Sequence, residues 1–140
     1  MPAKHYDFDV RVAYADTDRM GVVYYANYLA LFERGRTEFL RSLGLRYRDL
    51  EETQRLFMPA KEARVEYFAP ARYDELIKIR TRLAELGPAH LTFGSEIYDE
   101  AGKLIARGLV KLAVVNLLWR PTRLPPDLRA LLEKALPPHE

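Results

Sequence analysis

The sequence contains no cysteine, which excludes disulfide bonds, a thiol nucleophile and a zinc–thiolate site. Serine occurs only at Ser42 and Ser95, and neither lies in a G-x-S-x-G motif, so a serine hydrolase is not expected. Neither a P-loop nor a G-x-G-x-x-G motif is present. His5, His90 and His139 are far apart in the sequence and form no H-x-x-x-H pair, so we predict no metal site. Carboxylates, tyrosines and backbone dipoles are the catalytic groups that remain.

Long apolar runs and a one-sided charge are missing as well. No stretch of about 18 apolar residues occurs, and the N-terminal segment lacks the apolar run of a secretory signal. The 22 basic and 20 acidic residues are mixed along the chain, without the dense basic face of a nucleic-acid-binding protein. We therefore expect a cytoplasmic protein with no membrane span and no nucleic-acid partner. Its 140 residues, 49% of them hydrophobic, predict one domain over residues 1–140.

Alternation of apolar and polar side chains predicts five strands. They cover residues 6–14, 61–69, 76–86, 90–98 and 104–118. Gly102 is expected in a hairpin turn before the last strand, and Gly108 is expected to form a bulge that bends it. A rigid, proline-rich exit then leads to a short helix over residues 126–136.

Between the first two strands the apolar residues recur every three or four positions. This period predicts a long helix from about Ala26 to Leu43, ended by Gly44. Gly35, in mid-helix, indicates a close approach to other backbone. The apolar surface of the helix is so broad that we expect it to be largely surrounded. The fold class is therefore α+β, with a five-stranded antiparallel sheet curled around one long central helix.

Two aspartates, Asp16 and Asp18, lie in the link between the first strand and the long helix. The ordinary role of Asp16 is an Asx turn or another loop hydrogen bond. Asp18 precedes by seven residues the expected helix start near Tyr25, where backbone N–H groups lack intrahelical partners. Such donors suit a carbonyl oxygen that becomes an oxyanion, and a nearby carboxylate can attack the carbonyl or activate a water. The structural alternative is that Asp18 caps the helix.

The stretch "VAYADTDRMGVVYYANYLALFERGRTEFL" resembles the signature of the hot-dog-fold acyl-CoA thioesterases, the 4-hydroxybenzoyl-CoA thioesterase family. The similarity is greatest to the branch associated in bacteria with the Tol-Pal system. "VEYFAPARYDEL" and "RPTRLP" extend it over residues 6–128. The resemblance implies a hot-dog fold, a long helix wrapped by a curved antiparallel sheet. It also implies a homodimer or homotetramer whose active sites lie at the dimer interface.

The resemblance also assigns the chemistry. It implies that Asp18 is the catalytic acid, as nucleophile or general base, and that the backbone N–H of Tyr25 polarises the substrate carbonyl. Several members of the branch have histidine where this chain has Tyr25. Because a phenol is a poor base at neutral pH, proton transfer is expected to run through Asp18 and water.

Further residues of the motif are expected to bind the substrate: Tyr14, Gly21, Val22, Val23, Tyr24, Asn27 and Glu33. Gly21 is expected to permit a tight turn that places Asp18. An equally good interpretation of Tyr14 is that it is an ordinary aromatic residue at the end of the first strand. Asn27 is expected to form hydrogen bonds at the helix start. Two interpretations of Glu33 stay open: an i,i+3 ion pair with Arg36, or a border of the acyl pocket of a partner subunit.

Coenzyme A would bring phosphates to the mouth of such a pocket. The candidates to contact them are Arg64, Arg72, Arg120 and Arg123. Some relatives carry basic residues where this chain has Pro88 and Ala89, so strong phosphate binding is not expected at that point.

The function predicted from these residues is hydrolysis of a small or medium acyl-CoA, with no cofactor. The alternative is a module that binds acyl carrier protein and has weak or vestigial thioesterase activity. A hydratase of the same fold is disfavoured, since those enzymes use a histidine beside the acid and this motif contains none.

Overall fold

The computed structural model describes residues 4–137, so His139 lies outside it. In chain order the elements are β1 (Tyr6–Arg11), α1 (Asn27–Ser42), α2 (Tyr47–Thr53), β2 (Ala60–Tyr67), β3 (Leu76–Leu86), β4 (His90–Tyr98), β5 (Leu104–Ala113) and α3 (Pro126–Glu133). A single 3-10 turn, Tyr14–Asp16, lies between β1 and α1. No helix among the described residues is both long enough and apolar enough to cross a membrane.

The strands form one antiparallel sheet in the order β1-β3-β4-β5-β2, which confirms the predicted α+β plan. Consecutive strands β3, β4 and β5 are neighbours, and Gly102, at φ 85°, lies in the turn before β5 as predicted. The passage through α1 and α2 carries the chain from β1 at one edge to β2 at the other. β2 pairs with β5 on one side, and no strand in residues 4–137 pairs with its other side.

The apolar face of α1 packs across the sheet, mainly on β3 and β1. Tyr28 and Phe32 are buried on this face. Gly35 allows the closest approach, because an added Cβ would lie 2.6 Å from Thr81 Oγ1 and 2.7 Å from Ile79 Cγ2. The predicted close approach is confirmed, although the neighbours are side chains of β3 and not backbone.

The opposite face of α1 is left uncovered by the chain itself. Leu29 is 39% exposed, and Glu33 and Arg34 are exposed as well. The expectation that the helix is largely surrounded is therefore wrong for a single chain. Leu29 follows the buried Tyr28 directly, and one residue turns an α-helix by about 100°, which points Leu29 away from the sheet.

The limits of several strands differ from the prediction. The first strand ends at Arg11, since a 3-10 turn begins at Tyr14. The last ends at Ala113, because Val115 pairs with Phe57 and Pro121 as isolated bridges.

The predicted bulge at Gly108 is wrong. Gly108 stays in register with both Val65 and Ser95. The glycine is needed because an added Cβ would lie 2.3 Å from Phe32 Cε2 and 2.8 Å from the Arg64 carbonyl oxygen. Its small size makes room for the ring of Phe32 on α1, and the pairing register continues through it without a bulge.

Helix α2 was not predicted from the sequence. Its seven residues, "YRDLEET", contain one fully buried side chain, Leu50. With so little apolar periodicity, the segment has no amphipathic pattern to detect.

Candidate active site

The link between β1 and α1 is ordered by hydrogen bonds around Asp16. Its carboxylate accepts a hydrogen bond from the backbone N–H of Ala13 at 2.8 Å, which is the loop bond expected of this residue. Its carbonyl oxygen accepts from the backbone N–H of Tyr24 and from the side-chain amide of Asn27, both at 2.9 Å. Asp16 therefore ties the loop to the start of α1.

Asp18 lies in the tight turn that follows. Its Oδ1 accepts a hydrogen bond from the Met20 N–H at 2.8 Å, while Oδ2 accepts none from any described residue. The Asp18 N–H donates to the Val22 carbonyl at 2.9 Å, and the Gly21 N–H donates to the Asp18 carbonyl at 3.0 Å. Gly21 has φ 80°, a conformation that favours glycine, so it shapes this turn as predicted. The carboxylate is half-buried and keeps one oxygen available.

The start of α1 has unused donors. The helix begins at Asn27, one residue after the predicted start at Ala26, and Ala26 supplies no side-chain cap. Asp18 bonds Met20 and so does not cap the helix. Neither the Tyr25 N–H nor the Ala26 N–H donates to an acceptor within residues 4–137. These two groups, at the positive end of the helix dipole, can bind an incoming oxygen.

Two tyrosine rings flank these donors. Tyr24 and Tyr25 have ring centroids 4.8 Å apart and are 43% and 62% exposed. A hydrogen bond with the Tyr25 phenol raises the pKa of Tyr24, and the negative charge of Asp18 adds to the rise. The carboxylate of Asp18 is thus close enough to the Tyr24 phenol to act on it electrostatically. Tyr24 stays protonated at neutral pH.

The other predicted motif residues take separate positions. Tyr14 is 77% exposed and stacks on Tyr73 at a centroid distance of 4.2 Å. Val22 forms an isolated bridge with Arg72. Val23 is buried in the core, and its N–H donates to the Ala71 carbonyl at 2.8 Å, which anchors the loop.

Glu33 and Arg36 do not form the i,i+3 ion pair that was one interpretation of the sequence. No ion pair within the described chain includes Glu33. Arg36 is only 8% exposed and instead lies near Tyr47 of α2, where its charge acts on the phenol. Burial raises the pKa of Tyr47, and the Arg36 charge opposes that rise. Glu33 lies on the uncovered face of α1, about 9 Å along the axis from Asn27.

Arg36 also lines a cavity between α1 and α2. The cavity has a volume of about 410 Å³, and its other lining residues are Glu33, Thr37, Tyr47, Glu51 and Met58. In a single chain this cavity is separate from the loop that holds Asp18.

The candidate phosphate contacts are scattered. Arg72 is the one that the structure brings to the loop of Asp18, through its bridge with Val22. Arg64 lies in a groove beside β2 with Glu62 and Lys111. Arg123 lies with Arg129 in a different groove near α3.

One residue at the site was missed from the sequence. The phenol of Tyr67, at the end of β2, donates a hydrogen bond to the Tyr25 carbonyl at 2.9 Å. The partners are 42 residues apart, and nothing in the segment "VEYFAPARYDEL" itself indicates a contact with the start of α1. Among the described residues, no group of three or more His, Cys, Asp or Glu side chains is arranged to hold a metal ion.

Known proteins with related sequences show which family this chain resembles. Residues 12–132 match the family model of the Thioesterase-like superfamily. The acyl-CoA thioesterase YbgC of Haemophilus influenzae is 36% identical over 126 residues, which cover 89% of this chain and 92% of that protein. The acyl-CoA thioester hydrolase YbgC of an Escherichia coli strain is 36% identical over 122 residues, covering 86% of this chain and 90% of that protein.

Solved structures agree in fold. The probable thioesterase of Bartonella henselae superposes with a TM-score of 0.82 at 36% identity, covering 86% of this chain and 99% of that one. The DHNA-CoA thioesterase of Staphylococcus aureus superposes with a TM-score of 0.89 at 29% identity, covering 93% of this chain and 89% of that one. The predicted hot-dog fold is therefore confirmed.

Proposed function

The chain belongs to the Thioesterase-like superfamily and is a thioester hydrolase, and we propose that it cleaves small or medium acyl-CoA substrates with Asp18 as its catalytic carboxylate. The observation that carries this proposal is the pairing of two available groups. One oxygen of Asp18 accepts no hydrogen bond from the described chain, and the nearby helix start presents the unused N–H groups of Tyr25 and Ala26.

The reaction can follow either of two routes. In the first, Asp18 takes a proton from a water whose oxygen attacks the thioester carbon, the C–S bond breaks, and the CoA thiolate is protonated as it leaves. In the second, Asp18 itself attacks, CoA leaves, and water hydrolyses the mixed anhydride. Both routes yield a carboxylic acid and free CoA, and neither needs a cofactor.

Both routes pass through a tetrahedral oxyanion. The Tyr25 N–H is the proposed donor to that oxygen, with the Ala26 N–H beside it. Fixed donors aimed at a developing charge are among the largest contributions to enzyme catalysis, because they need no reorganisation during the reaction. The phenol of Tyr25 has no role as a base in this scheme, and Asp18 and water carry the proton.

The remaining motif residues form the proposed surroundings of the substrate. Gly21 and Val22 shape the turn, and the Tyr24 ring contributes a wall. The Asn27 amide bonds Asp16 and therefore positions the loop. Tyr14, Val23 and Glu33 complete the predicted set. Of these, exposed Tyr14 is available to an acyl-CoA, whereas Val23 acts through the core.

We also propose that the chain forms a homodimer through β2, either alone or within a tetramer. Seven of the eight residues of β2 are exposed, and its outer edge is unpaired in the described chain. An unpaired edge is a template for another strand. Pairing two such edges would bring the uncovered faces of α1 together and carry Glu33 toward the partner. Light scattering that gives the monomer mass at micromolar concentration would exclude this arrangement.

Thiol release tests the catalytic assignment. We expect Asp18→Asn to lower kcat by at least about 1,000-fold over a panel of short, long and aromatic acyl-CoAs, because the carboxylate acts in the chemical step. The variant should keep the unfolding midpoint, since Asp18 is only half-buried. Asp9→Asn on β1 is the matched control, with activity unchanged.

Two results would overturn the assignment. The first is undiminished turnover by Asp18→Asn. The second is the absence of hydrolysis by the wild-type chain together with specific capture of acyl carrier protein, the result expected of the binding module. The cytoplasmic location predicted from the sequence stays a prediction.

A further inference from the structure

The hydrogen bond from Tyr67 joins the far edge of the sheet to the start of α1. Tyr67 is the last residue of β2, and its phenol donates to the Tyr25 carbonyl at 2.9 Å. The position of Tyr67 is set by the sheet: it pairs with Ala106 of β5, and the next residue, Phe68, donates from its N–H to the Ile105 carbonyl at 2.8 Å. A rigid element therefore holds the donor.

The bond completes the anchoring of the two peptide groups that flank Tyr25. On the N-terminal side, the Tyr24 carbonyl accepts from the Asn27 N–H at 2.8 Å, and the Tyr24 N–H donates to Asp16 at 2.9 Å. On the C-terminal side, Tyr67 holds the Tyr25 carbonyl. With both neighbouring peptide planes fixed, the direction of the Tyr25 N–H is fixed as well.

The same bonds strengthen the unused donors. A hydrogen bond accepted by a peptide carbonyl polarises that peptide group and makes its N–H a better donor. The Asn27 N–H acts in this way on the peptide that carries the Tyr25 N–H. Tyr67 acts on the peptide that carries the Ala26 N–H. Both N–H groups proposed to face the oxyanion are thus polarised by a hydrogen bond to the carbonyl of the same peptide group.

The hydrogen bond of the Tyr67 hydroxyl is not needed for the stability of the fold. Tyr67 is 48% exposed, so its phenol could bond water without loss. Its ring is held independently, by an edge-to-face contact with buried Tyr28 at 5.3 Å and a contact with Tyr25 at 6.5 Å. The ring contacts would survive the removal of the hydroxyl, so the hydroxyl is available for a separate role.

We propose that Tyr67 is a positioning residue for thioester hydrolysis, which orients and polarises the backbone donors at Tyr25 and Ala26. This role rests on the proposed function of those donors. Tyr67 touches no reacting atom in the scheme, and its effect passes through the peptide groups.

Kinetics of Tyr67→Phe form the first test. With benzoyl-CoA and hexanoyl-CoA as substrates, we expect kcat to fall about tenfold and KM to change less than about twofold, because the donors act on the transition state. The unfolding midpoint should not change. The matched control is Tyr98→Phe, which removes a hydroxyl from β4, two strands away from β2 in the sheet, and should leave kcat unchanged.

A vibrational measurement tests directly whether Tyr67 affects the polarisation of the thioester carbonyl. Isotope-edited infrared spectra of carbonyl-labelled benzoyl-CoA bound to Asp18→Asn report how strongly the protein polarises the thioester carbonyl. Adding Tyr67→Phe should move the carbonyl band back toward its frequency in water. An unchanged band and an unchanged kcat would overturn the role of Tyr67 while leaving Asp18 untouched. Full activity of Asp18→Asn alone would instead overturn the proposed function.

Discussion

The two ends of helix α1 are built in opposite ways. At the C-terminal end the Leu43, Gly44 and Leu45 N–H groups all donate to carbonyls of Leu40 or Arg41, at 2.9 to 3.0 Å, and Gly44 takes φ 86°. At the N-terminal end Ala26 provides no side-chain cap, and the Tyr25 and Ala26 N–H groups have no acceptor in the described chain.

The two ends of α1 therefore differ in role: the C-terminal end is structural, and the N-terminal end is the proposed functional end. A helix end that only has to stop satisfies its backbone groups, as the Gly44 end does. An uncapped end forgoes about 1 kcal/mol that a side-chain cap would contribute. The N-terminal end also has an acidic residue, Asp18, whose free oxygen is not used on the helix. The free carboxylate oxygen of Asp18 close to these unused N–H groups fits a site that keeps its donors for a substrate.

Two glycines, one near each end of α1, allow a matched test of this difference between the two ends. Gly21 has φ 80° and Gly44 has φ 86°, and an added Cβ would meet nothing within 4 Å at either position. Gly21→Ala and Gly44→Ala should therefore lower the free energy of unfolding by a similar amount, about 1 kcal/mol each.

The two variants should differ in catalysis. Gly21 lies in the turn that holds the Asp18 carboxylate, so Gly21→Ala should lower kcat about tenfold. Gly44→Ala should leave the kcat of the folded enzyme unchanged. The measurements are urea unfolding and thiol release for both variants. Equal kcat values for the two variants would show that catalysis does not depend on the conformation of the turn that holds Asp18.

A smaller effect is expected far from both helix ends, at the β1 edge of the sheet. Arg80 of β3 donates two hydrogen bonds to the carboxylate of Asp7, at 2.9 and 3.1 Å, and these bonds lower the pKa of Asp7. Both side chains are about one-third exposed, so solvent screens the pair. Asp7→Asn should therefore cost about 1 kcal/mol or less in the free energy of unfolding.

The pH dependence of that loss has a definite sign. Because the folded-state pKa of Asp7 lies below its ordinary value of 3.8, the pair stabilises the protein above about pH 4. The contribution disappears as the pH falls through the lowered pKa. Urea unfolding at pH 7 and pH 2.5 should show a larger difference between Asp7→Asn and wild type at pH 7 than at pH 2.5, with kcat at pH 7 equal. A difference as large at pH 2.5 as at pH 7 would point to a cause other than this ion pair.

Much of the fold was open to prediction because the chain follows local rules. Strands β3 and β4 match their predicted limits, since each alternates cleanly and ends in turn residues. Gly44 ends the long helix because only a residue tolerant of positive φ fits there. Helix α2 was not predicted because it buries only Leu50 and so has no periodic apolar pattern.

Predictions that depended on long-range packing were less successful. The role of Gly108 is set by the ring of Phe32 on α1, which no local pattern contains. Arg36 lies near Tyr47 because α2 folds back on α1, and it does not form the predicted i,i+3 ion pair with Glu33. At the site, the motif located Asp18 and the helix start. The contact of Tyr67 with Tyr25 depends on sheet topology.

The most direct measurement of the central claim deletes the backbone N–H group of Tyr25 and keeps its side chain. Incorporating the α-hydroxy acid analogue of tyrosine at position 25 replaces the Tyr25 N–H with an ester oxygen, and the glycolic acid analogue at Gly44 serves as the control. We predict that the ester at Tyr25 lowers kcat about 100-fold with little change in stability, because an oxyanion donor is lost. The ester at Gly44 should lower stability and leave kcat unchanged. Equal kcat for the ester at Tyr25 and the unmodified enzyme would contradict the claim that this helix end holds the oxyanion.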